Sequence, residues 1–231
     1  MSGVDRGRAL VVSLERHCCL ANQTVLDIGC GYGGTTIACC LAGATAVGLD
    51  PDPQRLRGAR IWAHDDWGLR DATFCSGRAE SLPLPDATAD VVVCDNVLEH
   101  VHSHRQTLAE VGRVLRPGGL AYVSFPNYLS VRNLRSDPHF SLAGVSLLPP
   151  RLGRWYVTKV RARSEGFGVG WLPIAAVLSR FLQRHGLQVI EQEPALRRSL
   201  GCLAPLARAI HANTVPVLIW VLARSATATR G

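Results

Sequence analysis

Two acids and a run of glycines hold most of the chemistry in this sequence. Residues 25–34 read Val-Leu-Asp-Ile-Gly-Cys-Gly-Tyr-Gly-Gly, an apolar run that carries the acid Asp27 and leads into a turn. In that turn Gly29, Gly31 and Gly34 let backbone approach a ligand where a Cβ would collide. About twenty residues past the first glycine, Asp50 closes a second apolar run, where a carboxylate can accept from both hydroxyls of a ribose. Such a pair binds a nucleoside-type cofactor, and the glycine spacing alone equally permits a dinucleotide. Asp27 separates the two. A negative charge inside the turn suits the ammonium of a methionine moiety and opposes a pyrophosphate, which needs unopposed N–H groups there.

The elements that must position these residues follow from the apolar periodicity. Strands are expected at 25–28, 44–49, 72–75, 90–94 and 120–125, with helices between them, which predicts parallel strands joined by crossovers in an α/β fold. One helix should open near Gly33 and run to about Ala42, and another should start at Pro51 and Pro53 and run toward Trp67. A third has a marked beginning, because Ser103 followed by Gln106 forms a capping box and Leu108, Val111 and Leu115 repeat on one face. Pro117 and the Gly118-Gly119 pair stop it. Alternation fails over 126–170, a stretch rich in Pro, Ser, Arg and aromatics that is too long for an ordinary connection and reads as an insertion. It resumes with a helix at 172–184 closed by Gly186, a strand at 187–191, and a last strand near 215–222 read as lying at the end of the sheet. Residues 1–20 are expected to form a helix that covers the cofactor site.

The bulk numbers fit this plan. A chain of 231 residues suits a single α/β domain over 1–231. The longest apolar run contains a proline and stops at Arg224, short of the roughly 18 residues that a membrane span needs. No cleavable leader is evident, so a cytoplasmic location is expected. The eight cysteines form no C-x-x-C and read as buried thiols of a reducing compartment. The net charge of +7 comes almost wholly from arginine, Lys159 being the only lysine. It gives no ground for nucleic acid as a partner and is compatible with an acidic substrate.

Two later segments join the glycine loop: Asp95-Asn96-Val97-Leu98-Glu99-His100-Val101 after the fourth strand, and Leu115-Arg116-Pro117-Gly118-Gly119 before the fifth. The combination resembles the class I S-adenosylmethionine-dependent methyltransferases, in the small-molecule group that includes the ubiquinone and menaquinone biosynthesis enzymes. The resemblance spans about residues 22–125. It implies a Rossmann-like, mostly parallel seven-stranded sheet with an antiparallel last strand, and S-adenosylmethionine as cofactor. Asp27, Gly29, Cys30 and Gly31 match the loop for the methionine end. Asp50 matches the ribose acid, with Pro51 beside it, and Asp95 and Asn96 match the methyl-donor side. Gly77-Arg78-Ala79-Glu80 resembles the adenine segment, where the family often has aspartate in place of Arg78. An arginine only donates, so either backbone near Ala79 reads the base or Arg78 stacks on it.

Methyl transfer to a hydroxyl needs alignment, exclusion of water and a base. His100 is the expected base, with His139 of Asp137-Pro138-His139 next. His100, His102 and His104 alternate, but Ser103 should turn the chain into a helix and scatter them, so no metal is expected. Tyr32 and, in the insertion, Asn127, Tyr128, Arg132, Arg135 and Phe140 are expected to bind the acceptor, a small molecule that could bear a carboxylate or phosphate. The expected function is methyl transfer to oxygen of that acceptor, by a monomer or homodimer. Nitrogen or carbon acceptors, an RNA methyltransferase, a nicotinamide oxidoreductase and a non-catalytic cofactor-binding subunit are the alternatives.

Overall fold

The computed structural model describes residues 3–70, 72–126, 142–145, 148, 150–161, 182–193 and 218–225. Helix α1 (Gly3–Glu15) precedes β1 (Thr24–Ile28), α2 (Gly34–Leu41), β2 (Thr45–Asp50) and α3 (Pro53–Ile61). These are followed by β3 (Thr73–Ser76), β4 (Ala89–Asp95), α4 (His104–Val114) and β5 (Leu115–Pro126). A helix α5 (Pro150–Arg161), β6 (Leu187–Glu193) and β7 (Leu218–Ser225) complete the described elements.

The strands form one seven-stranded sheet in the order β3-β2-β1-β4-β5-β7-β6. β1 to β5 pair in parallel, whereas β7 runs antiparallel to both β5 and β6. Because β2 and β3 lie on one side of β1, and β4 and β5 on the other, the order reverses between β1 and β4. Open α/β sheets bind ligands at the carboxyl ends of strands flanking such a reversal.

Alternation along the central strands divides the core. Val25, Val91, Val93, Leu120 and Tyr122 face α1 and α2, packing with Leu10, Leu14 and Ala38. Leu26, Val92, Cys94, Val123 and Phe125 face α4, packing with Leu108 and Val111. Local signals explain the helix starts. Asp52 caps α3, accepting from the Gln54 N–H at 2.8 Å, and Ser103 caps α4, accepting from the Gln106 N–H at 3.3 Å. The helix turn at 182–184 is closed at Gly186, whose φ of 74° is the left-handed region expected of a C-cap glycine.

The structure corrects several boundaries. α4 stops at Val114, before the Pro-Gly-Gly turn, and β5 starts at Leu115. Leu115 pairs with Ala89 and pairing resumes at Leu120 with Val91, so residues 116–119 bulge within a longer strand. The helix expected to run from Pro51 and Pro53 toward Trp67 leaves α geometry after Ile61, continuing as a π turn over Trp62–Asp66. The last strand lies second from the sheet edge, between β5 and β6. The segment read as irregular contains α5, a twelve-residue helix.

Candidate active site

A cleft of ≈ 770 Å³ opens at the carboxyl ends of β1, β2 and β4, where the strand order reverses. Its walls come from α1, the 29–35 loop, the end of β2, the 78–80 segment and the 95–102 segment. At Gly29, φ is +69° and an added Cβ would stand 2.5 Å from Val97 Cγ2. That glycine therefore brings the loop into direct contact with the segment after β4. Gly29 and Cys30 also donate to the Leu49 carbonyl at 2.6 and 3.0 Å, tying the loop to the end of β2.

Four carboxylates sit at this end of the sheet in different environments. Asp27 is 3% exposed and accepts from the Thr36 hydroxyl at 2.7 Å. Burial pushes its pKa up to about 7, with the bond from Thr36 opposing and the charge of Asp95 adding to the rise. Asp50, equally buried, accepts the Gly31 N–H at 3.0 Å on one oxygen and the Asp52 N–H at 2.9 Å on the other. It therefore shapes the glycine loop directly. Asp95 is held by the Ser124 hydroxyl, by Asn96 Nδ2 at 3.1 Å and by the Arg6 guanidinium at 2.9 Å. Glu99 lies buried on the short 3₁₀ turn Leu98–His100 with Oε2 unpartnered, and burial pushes its pKa up to about 7 as well.

Helix α1 closes one side through very small contacts. A Cβ on Gly34 would meet the Gly3 backbone at 2.5 Å, and one on Gly7 would meet the Gly34 carbonyl at 2.7 Å. The two helices therefore touch backbone to backbone at the start of α2, and Gly3 and Arg6 line the cleft. Trp62, on the π turn, lies against Gly3 and lines the same wall.

The opposite end is more open. Arg78 is 61% exposed in its side chain and pairs with Glu80 at 3.8 Å. Glu80 accepts the His102 N–H at 2.8 Å, which links this segment to the loop after β4. Those backbone and ion-pair bonds offset its burial and leave the Glu80 carboxyl below the ordinary glutamate range. Ala79 between them is buried.

All ten cofactor-side residues expected from the sequence line this one cleft: Asp27, Gly29, Cys30, Gly31, Asp50, Pro51, Arg78, Ala79, Asp95 and Asn96. His100 is exposed and lines it too, as does Tyr32, which is 63% exposed. Asn127, Tyr128, Arg132, Arg135, His139 and Phe140 lie outside the described residues. The buried thiols Cys39 and Cys94 and the half-buried Cys30 are shifted up by desolvation, away from thiolate chemistry, whereas Cys19 is exposed. Among the described residues, no group of three His, Cys, Asp or Glu could hold a metal ion. Sequence reading missed Arg6, Thr36, Trp62 and Ser124. Only Arg6 left a trace, in the Gly3-x-x-x-Gly7 spacing that flanks it.

The cleft fits a cationic amino-acid end joined to a nucleoside. Its inner end holds the desolvated carboxylate of Asp27, with Asp95 beside it, and a glycine cradle that a Cβ would fill. An anionic pyrophosphate would meet these charges with repulsion.

Comparison with known proteins agrees. Residues 26–123 match the family model described as a methyltransferase domain. An uncharacterized methyltransferase of Mycobacteroides abscessus is 37% identical over 145 residues, 61% of this chain and 52% of that protein. The chain spans about half the length of the curated relatives it matches. Among solved structures, an S-adenosylmethionine dependent methyltransferase from Mesorhizobium loti superposes with a TM-score of 0.66 at 19% identity, covering 96% of this chain and 99% of that one. Magnesium protoporphyrin IX methyltransferase from Synechocystis, with bound SAH, gives 0.62 at 17% identity, covering 96% and 81%. The chain carries the class I methyltransferase fold, and residues 26–123 within it match the methyltransferase-domain model.

Proposed function

We propose that the protein transfers a methyl group from S-adenosylmethionine to a hydroxyl of a small-molecule acceptor, like the biosynthetic methyltransferases of the ubiquinone and menaquinone group that it resembles. The observation that carries this reading is the placement of His100. It stands exposed on the wall of the cleft that Asp27 and Asp95 line, on the turn after β4. The bound cofactor supplies an electrophilic methyl group on a sulfonium. Asp27 and Asp95 hold its cationic end, Asp50 its ribose, and the walls exclude water. His100 would take the hydroxyl proton as the acceptor oxygen bonds to the methyl carbon and the methyl–sulfur bond breaks, its electron pair staying on sulfur to leave the neutral thioether, so the acceptor needs no prior ionisation.

The acceptor site is assigned to residues after β5. That strand ends at Pro126, on the same edge of the sheet as the cleft, and Asn127, Tyr128, Arg132, Arg135 and Phe140 come after it in the sequence. The arginines there suit a carboxylate or phosphate on the acceptor.

Calorimetry with S-adenosylmethionine and with NAD tests the cofactor. Binding of NAD without S-adenosylmethionine overturns the reading. Mass spectrometry of a panel of hydroxyl-, amine- and carbon-acid acceptors then identifies the methylated atom. His100→Ala is expected to keep cofactor affinity and slow turnover roughly 100-fold. A wild-type rate across the pH range removes His100 as base and makes His139 the candidate.

A further inference from the structure

We infer that Arg6 of α1 is the residue that recognises the α-carboxylate of the cofactor's amino-acid end, exchanging its ion pair with Asp95 for one with the ligand. The inference rests on S-adenosylmethionine being the cofactor and goes beyond it by adding a specificity-determining side chain from outside the matched segment 26–123.

A zwitterionic amino acid needs an anion for its ammonium and a cation for its carboxylate, placed side by side. In this structure the two are already adjacent, as Arg6 Nη2 stands 2.9 Å from Asp95 Oδ2 and both residues line the cleft. Asp95 is anchored from below by the Ser124 hydroxyl and by Asn96, and its side chain is only 10% exposed. Arg6 is 65% exposed in its side chain, so its long arm can re-aim while Asp95 stays. Among the described residues, Arg6, Arg55 and Arg78 supply the guanidinium groups of the cleft. Arg55 lies 3.5 Å from Asp52 at the start of α3, and Arg78 pairs with Glu80. Of these three, Arg6 stands at the end that Asp27 and Asp95 make acidic, and its charge is felt at Asp27, Glu99 and Tyr122.

The backbone position of Arg6 is set by packing, which leaves only its side chain to re-aim. Gly7, the next residue, touches the start of α2 closely enough that a Cβ would stand 2.7 Å from the Gly34 carbonyl. The guanidinium is therefore delivered to the mouth of the glycine loop by a docked helix. A planar fork of donors there matches a carboxylate in a way an ammonium would not.

The sign of a charge deletion distinguishes this role from simple neutralisation. If Arg6 only offset the acidic end, removing it would free Asp95 and tighten a cationic ligand. Recognition of the carboxylate requires the opposite. Titration calorimetry on the full chain should compare S-adenosylmethionine, S-adenosylhomocysteine and 5′-methylthioadenosine, a nucleoside thioether that lacks the amino-acid end. For Arg6→Ala the expected result is a roughly 10- to 100-fold loss for the first two and a change within about twofold for the third. Arg6→Lys should recover only part of the loss. Unchanged or tighter binding of S-adenosylmethionine overturns the inference, as does an equal loss for 5′-methylthioadenosine, which would mean that α1 had come away. Wild-type protein that binds none of the three overturns the cofactor reading itself.

Discussion

The two ends of the cleft hold similar numbers of charges and treat them in opposite ways. At the end beside the glycine loop, Asp27 is almost fully buried and burial raises its pKa to about 7; Glu99, buried on the turn after β4, is raised likewise and keeps an unpartnered oxygen. At the end beside Ala79, Arg78, Glu80 and His102 satisfy one another in a half-open setting, and Glu80 is held below its ordinary range. The first arrangement disfavours the ligand-free charged state and becomes favourable when a cation arrives. The second is complete without a ligand. Affinity should therefore be concentrated at the inner end, with Asp50 intermediate because its two oxygens already serve the loop.

Asp27→Asn should give the largest effect. The folded pKa of Asp27 lies above its unfolded value, so between about pH 4 and 7 the native state binds more protons than the unfolded chain. Without cofactor, stability contributed by this site is therefore lost as pH rises through 7. A cationic ligand favours the ionised form, so affinity should climb with pH toward 7 and level off above. The asparagine should cost about 3 kcal/mol or more of cofactor affinity at pH 8, flatten that climb to what Glu99 leaves, and make the free protein more resistant to heat at pH 8. Calorimetry and melting curves at three pH values check all three. Tight binding with an unchanged pH profile would erase the contrast between the ends.

Asp50→Ala comes next, at about 1–3 kcal/mol of cofactor affinity. The substitution leaves the Gly31 and Asp52 N–H groups without their carboxylate as well as removing an acceptor for ribose. Adenosine, which carries the ribose but no methionine, should lose as much in calorimetry as S-adenosylmethionine does. A loss confined to S-adenosylmethionine would move Asp50 to the inner end.

What could be read from the sequence depends on how local each device is. The glycine loop, the acids at the ends of β1 and β2, and the cap at Ser103 are encoded within a few residues, so spacing identifies them. The Arg6–Asp95 pair joins residues 89 apart, and nothing in either neighbourhood marks the other. The same holds for Thr36 on Asp27 and Ser124 on Asp95, where a small hydroxyl is chosen by tertiary position alone. α5 escaped because Gly153 and the β-branched Val157, Thr158 and Val160 lower its helix propensity. The early start of β5 escaped because the Pro-Gly-Gly run that punctuates a chain also serves as a bulge inside a strand. The interior place of the last strand is a fact of chain return, to which a strand's own residues are silent.

Arg78→Ala should have the smallest effect and is the sharpest test of the quiet end. The resemblance places an acid here to accept from the adenine amino group, and arginine lacks any acceptor. Glu80, Arg78's partner, stays fixed without it, because the His102 N–H holds that carboxylate at 2.8 Å. Removing an exposed guanidinium paired at 3.8 Å is worth about 0.2–1 kcal/mol at most, so cofactor affinity should stay within about fivefold of wild type. If the guanidinium stacks on the base, the small loss should be equal for an adenine nucleoside and for inosine, which lacks the amino group, since stacking does not read that group. A loss that appears only with the adenine nucleoside would mean that Arg78 orders the backbone around Ala79 for direct reading of the base. A loss beyond tenfold would place a principal binding contact at the end of the cleft where the charges already satisfy one another.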